Sequence, residues 1–188
     1  MSDVALNKKS KTPIIMFLVF VLPVVLAYLA LTFDWFNKAS TNKGELISPP
    51  LDISSVLDER EPLWRLLFVM PEECSQGCEN ALYSMNQIWI ALGKDSDRVE
   101  PLVLTQQNSA KIENTETQRH PNIRVLKTDS QNVNEVFKDG AANGIFIVDT
   151  LGNVILKYPL KQQQEDAIQQ SRDILADLRK LLKLSRIG

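Results

Sequence analysis

Sulfur and imidazole are scarce in this sequence, which has two cysteines, Cys74 and Cys78, and one histidine, His120, among 188 residues. A structural zinc site wants about four nitrogen or sulfur ligands, so zinc is disfavoured. Positive charge is not in excess either. The formal net charge is −2, and no basic stripe is available to neutralise phosphates, which argues against a nucleic-acid role. There is no internal repeat, and no low-complexity segment beyond the glutamine run Gln162 to Gln164. Charge of either sign is missing from one stretch, between Lys11 and Asp34, where the chain reads TPIIMFLVFVLPVVLAYLALTF.

The apolar part of that stretch, Ile14 to Phe33, is 20 residues long. At about 1.5 Å per residue it spans roughly the 30 Å hydrocarbon core of a bilayer. Pro23 would break a soluble helix, but a lipid-buried helix tolerates it because local adjustments re-satisfy the freed carbonyl. Lys8, Lys9 and Lys11 precede the segment, whereas only Lys38 and Lys43 follow it closely, with Asp34 between, so the positive-inside rule puts the N-terminus in the cytoplasm. Trp35 and Phe36 suit an interfacial aromatic belt. A cleaved signal peptide shares the basic start, but its apolar region runs only about 7–15 residues before a small-x-small site. Ala27-Tyr28-Leu29-Ala30-Leu31 offers no convincing site, and the expectation is an uncleaved anchor. The organisation that follows is a cytoplasmic N-terminus over 1–12, a transmembrane anchor over 13–35, a linker and extended lead-in over 36–61, and one soluble domain over 62–188.

Within the soluble part, Pro49-Pro50 forbids helix in NKGELISPPLDISS. Leu63 to Val69, LWRLLFV, is a short apolar run ending at Pro71, as a buried central strand would be. From Cys78, Ala81, Leu82, Met85, Ile88, Trp89 and Leu92 recur at three and four, and the pattern closes at Gly93, which predicts an amphipathic helix. Val99 to Leu104 reads as a second strand, Gln106 to His120 as a long polar loop, and Ile123 to Leu126 as a further short strand. Asp129 or Ser130 caps a short helix carrying Val133, Val136 and Phe137 on one face and ending at Gly140. Ile145 to Val148 and Val154 to Tyr158, joined through Gly152 and Asn153, form the clearest hairpin.

Ile168, Ser171, Ile174, Leu175, Leu178, Leu181 and Leu182 make the inner face of a C-terminal helix whose basic end, Arg179 to Arg186, is a solvated helix terminus or a contact for anionic lipid. Trp64, Phe68 and Trp89 are expected in the core. The order β-α-β, a helical connection, then β-β-α is the one a thioredoxin-like fold requires, and order alone leaves other α/β folds open.

Cys74 and Cys78 fall in PEECSQGCE, where the first predicted strand hands over to the first helix. In an α/β sheet that junction is a natural site, because the unpaired N–H groups of the helix start favour a thiolate. With three residues between them, the two sulfurs can lie about one helical turn apart on one face, and they either close a disulfide or jointly hold a soft cation such as Cu(I). The N-in anchor places them where disulfides persist. A purely structural staple is the bland reading, but a loop this short removes little unfolded-state entropy.

With C-x3-C after the first strand and IFIVDTLGN in a late hairpin behind an N-terminal anchor, the chain resembles the Sco/SenC group of membrane-anchored thioredoxin-like proteins. More closely, NKGELISPP, WRLLFV, ALGKDSDRV and LRKLLKLSRIG resemble a proteobacterial family of transmembrane proteins associated with cytochrome c oxidase. The resemblance implies an inner-membrane protein with its domain in the periplasm. It further implies a part in assembling the oxidase, by copper delivery to the CuA centre or by keeping that centre's cysteines reduced, with oxidase subunits or assembly factors as partners. Cys74 and Cys78 match the pair that binds copper or cycles redox in Sco proteins. The third Sco ligand, a histidine shortly before the late hairpin, has no counterpart in DGAANGIF, and His120 lies well upstream as a weak candidate ligand. Copper affinity is therefore expected to be weaker or to need a ligand from a partner. No X-Pro precedes Ile145, where thioredoxin-type oxidoreductases place a cis-proline, so general thiol–disulfide exchange is less strongly signalled. A non-catalytic docking protein on the same scaffold is the other alternative.

Overall fold

A computed structural model of the chain describes residues 11–33, 42–57, 61–111, 119–138 and 141–185. The chain divides into two compact units, 1–41 and 42–188. In the first, helix α1 runs over Thr12–Thr32, has Pro13 in its first turn and continues through Pro23. Met16, Phe17, Leu18 and Val19, four successive side chains that point around the whole helix, are all exposed. By length and composition α1 is able to cross a membrane. Lys8, Lys9, Asp34, Trp35, Phe36 and Lys38, on which the charge-asymmetry and aromatic-belt readings rest, lie outside the described residues.

The second unit is built on a six-stranded mixed sheet. Its elements are β1 (Glu45–Asp52), α2 (Ser54–Leu57), β2 (Trp64–Val69), α3 (Gln76–Leu92), a 3-10 turn (Gly93–Arg98), β3 (Val99–Thr105), β4 (Arg124–Lys127), α4 (Ser130–Val136), β5 (Ile145–Val148), β6 (Asn153–Tyr158) and α5 (Gln164–Leu184). The strand order is β1-β6-β5-β2-β3-β4, with β2, β3 and β4 parallel and the β2–β5, β5–β6 and β6–β1 pairs antiparallel. Every predicted strand and helix of the soluble part is present within a few residues. The expected helix end at Gly140 and residues 112–118 of the polar loop lie outside the described residues.

The extended lead-in is itself a strand, pairing with β6 from Glu45↔Lys157 to Asp52↔Asn153. The register slips between Leu46 and Leu51, across Pro49 and Pro50. An edge strand accommodates prolines because only one of its sides is hydrogen-bonded.

All six residues of β2 are buried, and alternation sends them to two cores. Leu66 and Phe68 pack with Ala81, Leu82, Met85 and Ile88 of α3 and with Ile174, Leu178 and Leu182 of α5. Leu67 and Val69 face the other way, toward Ile53, Val56, Val133, Phe137 and Phe146. A strand covered on both faces reads as a continuous apolar run, which is why period-2 alternation is missing from LWRLLFV. Arg65 breaks that run and is nonetheless buried, with Nε 3.0 Å from Oε2 of Glu100, its register partner on β3. Trp64 and Phe68 are core residues as expected, while Trp89 is half-buried and donates from Nε1 to the Val99 carbonyl at 3.0 Å.

The inner face of α5 is rotated from the predicted one: Ile168 is exposed, and Ala167 and Asp177 point inward. Asp177 is tolerated there because the fold supplies its partners. Oδ2 accepts from the Tyr158 hydroxyl at 2.8 Å and from the backbone N–H groups of Lys43 at 2.6 Å and Gly44 at 3.0 Å, while Lys180 Nζ lies 3.4 Å from Oδ1. Arg179, expected in a solvated turn, donates to the Ala91 carbonyl at 2.7 Å, and Arg186 lies outside the described residues.

Candidate functional site

The cysteines follow the carboxyl end of β2, an interior strand that runs parallel to β3 and antiparallel to β5. Past Val69 the ladder continues for one more bond, from Met70 N to the Leu104 carbonyl at 2.9 Å, and Pro71 then turns the chain out of the sheet. Ser75 caps α3 with extended backbone, and its carbonyl accepts from Cys78 N at 2.9 Å and Glu79 N at 3.1 Å. Cys74 therefore lies outside the helix and Cys78 in its first turn, so the pair spans the junction instead of sharing one helical face. The two form a disulfide with a Cα–Cα separation of 5.3 Å. Cys74 is exposed, and Cys78 is fully buried.

Two neighbouring segments fix this junction. On one side, the loop between β6 and α5 is fastened to the start of α3. Gly77 N donates to Gln162 Oε1 at 2.9 Å, and Asn80 Nδ2 donates to the carbonyls of Lys161 at 2.9 Å and Gln162 at 3.1 Å. A Cβ on Gly77 would stand 2.8 Å from Gln162 Nε2, so the close approach uses the glycine. The glutamine run, featureless as sequence, thus contributes the side chain that takes one of the helix's free N–H groups. On the other side, Ser109 Oγ donates to the Met70 carbonyl at 2.8 Å, Ala110 N donates to the Pro71 carbonyl at 2.8 Å, and Asn108 hydrogen-bonds to Glu72. Beneath the disulfide, Met70 is buried with its Sδ 3.6 Å from the Sγ of Cys78.

A cleft of about 360 Å³ runs beside the junction, bordered by Met70, Glu72, Gln106, Asn108, Asn134 and Asn143. PEECSQGCE carries Glu72, Glu73 and Glu79 and no basic side chain. Before β5, where a cis-proline was noted as missing, stands Gly144 at φ +155°; a Cβ there would lie 2.7 Å from the Tyr158 carbonyl oxygen.

His120 is placed elsewhere. Its ring meets Tyr83 of α3 edge-on, with centroids 6.5 Å apart. Tyr83 lies five residues beyond Cys78, more than a helical turn away on the half-exposed flank. Among the described residues no three His, Cys, Asp or Glu side chains gather as a metal site, so the structure does not bring His120 to the cysteines. Methionine lies outside that set of ligand types, and Met70 places a further sulfur beside the pair.

Residues 64–185 match the family described as transmembrane-like, thioredoxin-like, C-terminal domain. The chain belongs to this family. The match runs from the first residue of β2 to the residue after α5 and takes in both cysteines. Among solved structures, the chain is similar to apo Sco1 of Thermus thermophilus, at 17% identity over 75% of this chain and 97% of that one, with a TM-score of 0.53. It is also similar to copper-bound ScoI of Bradyrhizobium japonicum, at 18% identity over 67% and 98%, with a TM-score of 0.43. A putative thiol:disulfide interchange protein DsbE of Chlorobium tepidum matches at 15% identity over 73% and 96%, with a TM-score of 0.46. No curated protein matches the chain. The family match and the likeness to the T. thermophilus protein establish a thioredoxin-like, Sco-like fold.

Reduced, Cys74 and Cys78 would offer two thiolates beside the Met70 thioether, soft donors of the class that Cu(I) prefers, so these residues fit that ion. Cys78 is buried in the first turn of α3 and Cys74 is exposed just ahead of it, so Cys74 is the more accessible of the two.

Proposed function

We propose that this chain is a single-pass bacterial inner-membrane protein, with its N-terminus in the cytoplasm and its thioredoxin-like domain in the periplasm. In this reading it aids cytochrome c oxidase assembly by handling Cu(I) or thiols through Cys74 and Cys78. The observation that carries the reading is the asymmetric pair: one exposed and one buried sulfur, joined at the strand-to-helix junction of a thioredoxin-like sheet. A staple would serve equally well with both sulfurs covered. The apolar, outward-facing α1 supports the anchor.

The chemistry begins with the disulfide. A thiolate of a dithiol partner attacks Sγ of Cys74, the Cys74–Cys78 bond breaks, and Cys78 leaves as a thiolate at the N-terminus of α3. The partner's second thiol resolves the mixed disulfide, so the partner is oxidised by two electrons and both cysteines are reduced. Cu(I), as cargo, then takes the place of the thiol protons. The test is anaerobic Cu(I) titration of the reduced full-length protein in detergent. One equivalent bound, and none by the Cys74→Ser, Cys78→Ser variant, is expected; equal binding by the two refutes the copper form.

The thiol form is the second reading, favoured by the accessibility of the Cys74 sulfur. It expects a reduction potential above about −300 mV, the level below which structural disulfides fall. A docking protein with a structural disulfide instead leaves oxidase activity normal in cells carrying a stable double-serine variant.

A further inference from the structure

We infer that Met70 is the third Cu(I) ligand of this chain, supplied from the end of β2, so that the site is complete without a histidine and without a partner's donor. The inference rests on the copper form of the function proposed above and specifies its ligand set.

Three observations carry it. The first is distance. Three donors in a trigonal plane, each bonded at about 2.3 Å as metal–thiolate sulfurs are, stand roughly 4 Å apart. Met70 Sδ and Cys78 Sγ are 3.6 Å apart, so two corners of such a triangle are nearly in place. The second is rigidity. The Met70 N–H is bonded to the Leu104 carbonyl, its own carbonyl accepts from Ser109 Oγ, and its side chain is 2% exposed, so the thioether is held against the cysteine before any metal arrives. The third is access. Met70 lines the cleft beside the junction, and Cys74, outside α3 and exposed, is the sulfur whose displacement opens the pair when the disulfide is reduced.

A thioether is neutral and soft, and it carries no proton to displace. Two thiolates and one Cu(I) leave a single negative charge, and Met70 adds none. The residue also packs as an ordinary core side chain, and that role is separable, because Met→Leu nearly conserves volume and is well tolerated in cores. Packing alone therefore predicts that leucine replaces Met70 with no effect on copper.

The experiment uses the reduced full-length protein in detergent, loaded anaerobically with Cu(I). In wild type, copper-edge X-ray absorption is expected to report three sulfurs. Met70→Leu is expected to report two, and competition with a chromogenic chelator to give a dissociation constant at least about tenfold higher. Protein grown with selenomethionine keeps the native residue and fold. Its copper is expected to gain one selenium neighbour, lost again in Met70→Leu grown the same way. Unchanged affinity and sulfur count in Met70→Leu, or no selenium neighbour in the labelled protein, overturns Met70 as a ligand and leaves the two-cysteine reading standing. Wild type binding no more Cu(I) than the double-serine variant overturns both.

Discussion

Glu100→Ala is expected to be among the most damaging single substitutions in the unit 42–188, although it touches no part of the cysteine site. Glu100 lies opposite Arg65 across β2 and β3, and their side chains are 9% and 3% exposed. The Arg65 guanidinium also donates to the carbonyls of Leu63 at 3.0 Å and Glu61 at 2.7 Å, so it stays in place when the carboxylate is removed. A buried cation is then left without its counter-charge, which costs about 3–5 kcal/mol. Arg124 Nε, 3.6 Å from the other oxygen of Glu100, belongs to a side chain 73% exposed, and Arg124→Ala is expected to cost under about 1 kcal/mol. At roughly 2–4 °C per kcal/mol for a unit of this size, Glu100→Ala lowers Tm by on the order of 10 °C. Arg65→Met with Glu100→Leu removes both charges at once and is expected to return to within about 1–2 kcal/mol of wild type. The assay is thermal unfolding of the full-length protein in detergent, followed by near-ultraviolet circular dichroism, on wild type, Glu100→Ala, Arg124→Ala, and Arg65→Met and Glu100→Leu singly and together. Additive losses in the double, or a Tm within 3 °C of wild type for Glu100→Ala, refute a desolvated pair.

Asp177→Ala deprives Tyr158 Oη and the N–H groups of Lys43 and Gly44 of their shared acceptor, and a loss of about 3 kcal/mol is expected. Hydrogen exchange at the amides of Lys43 and Gly44 should quicken while the amides of β2 change little. Burial first, then Asp177, push the Tyr158 phenol well above its usual value of 10.0. A raised folded-state pKa means that this contribution to stability is full below about pH 10 and is lost as pH rises beyond it. Tm measured from pH 8 to 11 should therefore fall more steeply in wild type than in Tyr158→Phe. In the reduced protein, iodoacetamide is expected to modify Cys74 at least about tenfold faster than the buried Cys78, as read by peptide mass spectrometry; equal rates would contradict the asymmetry on which the proposed chemistry depends.

The thioredoxin-like order was legible because each of its elements carries its own local period. The apolar run of β2, the three-and-four spacing of α3 and the Gly152-Asn153 turn of the hairpin each signal one element without reference to the rest. Strand β1 was less legible: Pro49 and Pro50 erase its alternation, and its partner β6 lies about a hundred residues further on. Asp177 was missed for a related reason. A carboxylate on a helix is assigned to solvent by pattern, and only the fold brings Tyr158 and two backbone amides to meet it. The cysteine pair was visible through its spacing, but which sulfur is covered depends on where α3 starts, at Gln76, and this decided the geometry. Met70 carried no signal at all, since a methionine at a strand end reads as core until its distance from Cys78 is known.

The Asp177 clasp reaches across 134 residues to Lys43, whereas the disulfide spans a separation of only 4. The two closures therefore belong to opposite ends of synthesis. The cysteines can join once α3 has formed, but the β1 edge has neither its β6 partner nor its carboxylate until nearly the whole chain has emerged. A chain halted before β6, at residue 153, can carry a finished cysteine pair on an unfinished sheet. Oxidation of the pair thus reports nothing about whether the domain around it is complete.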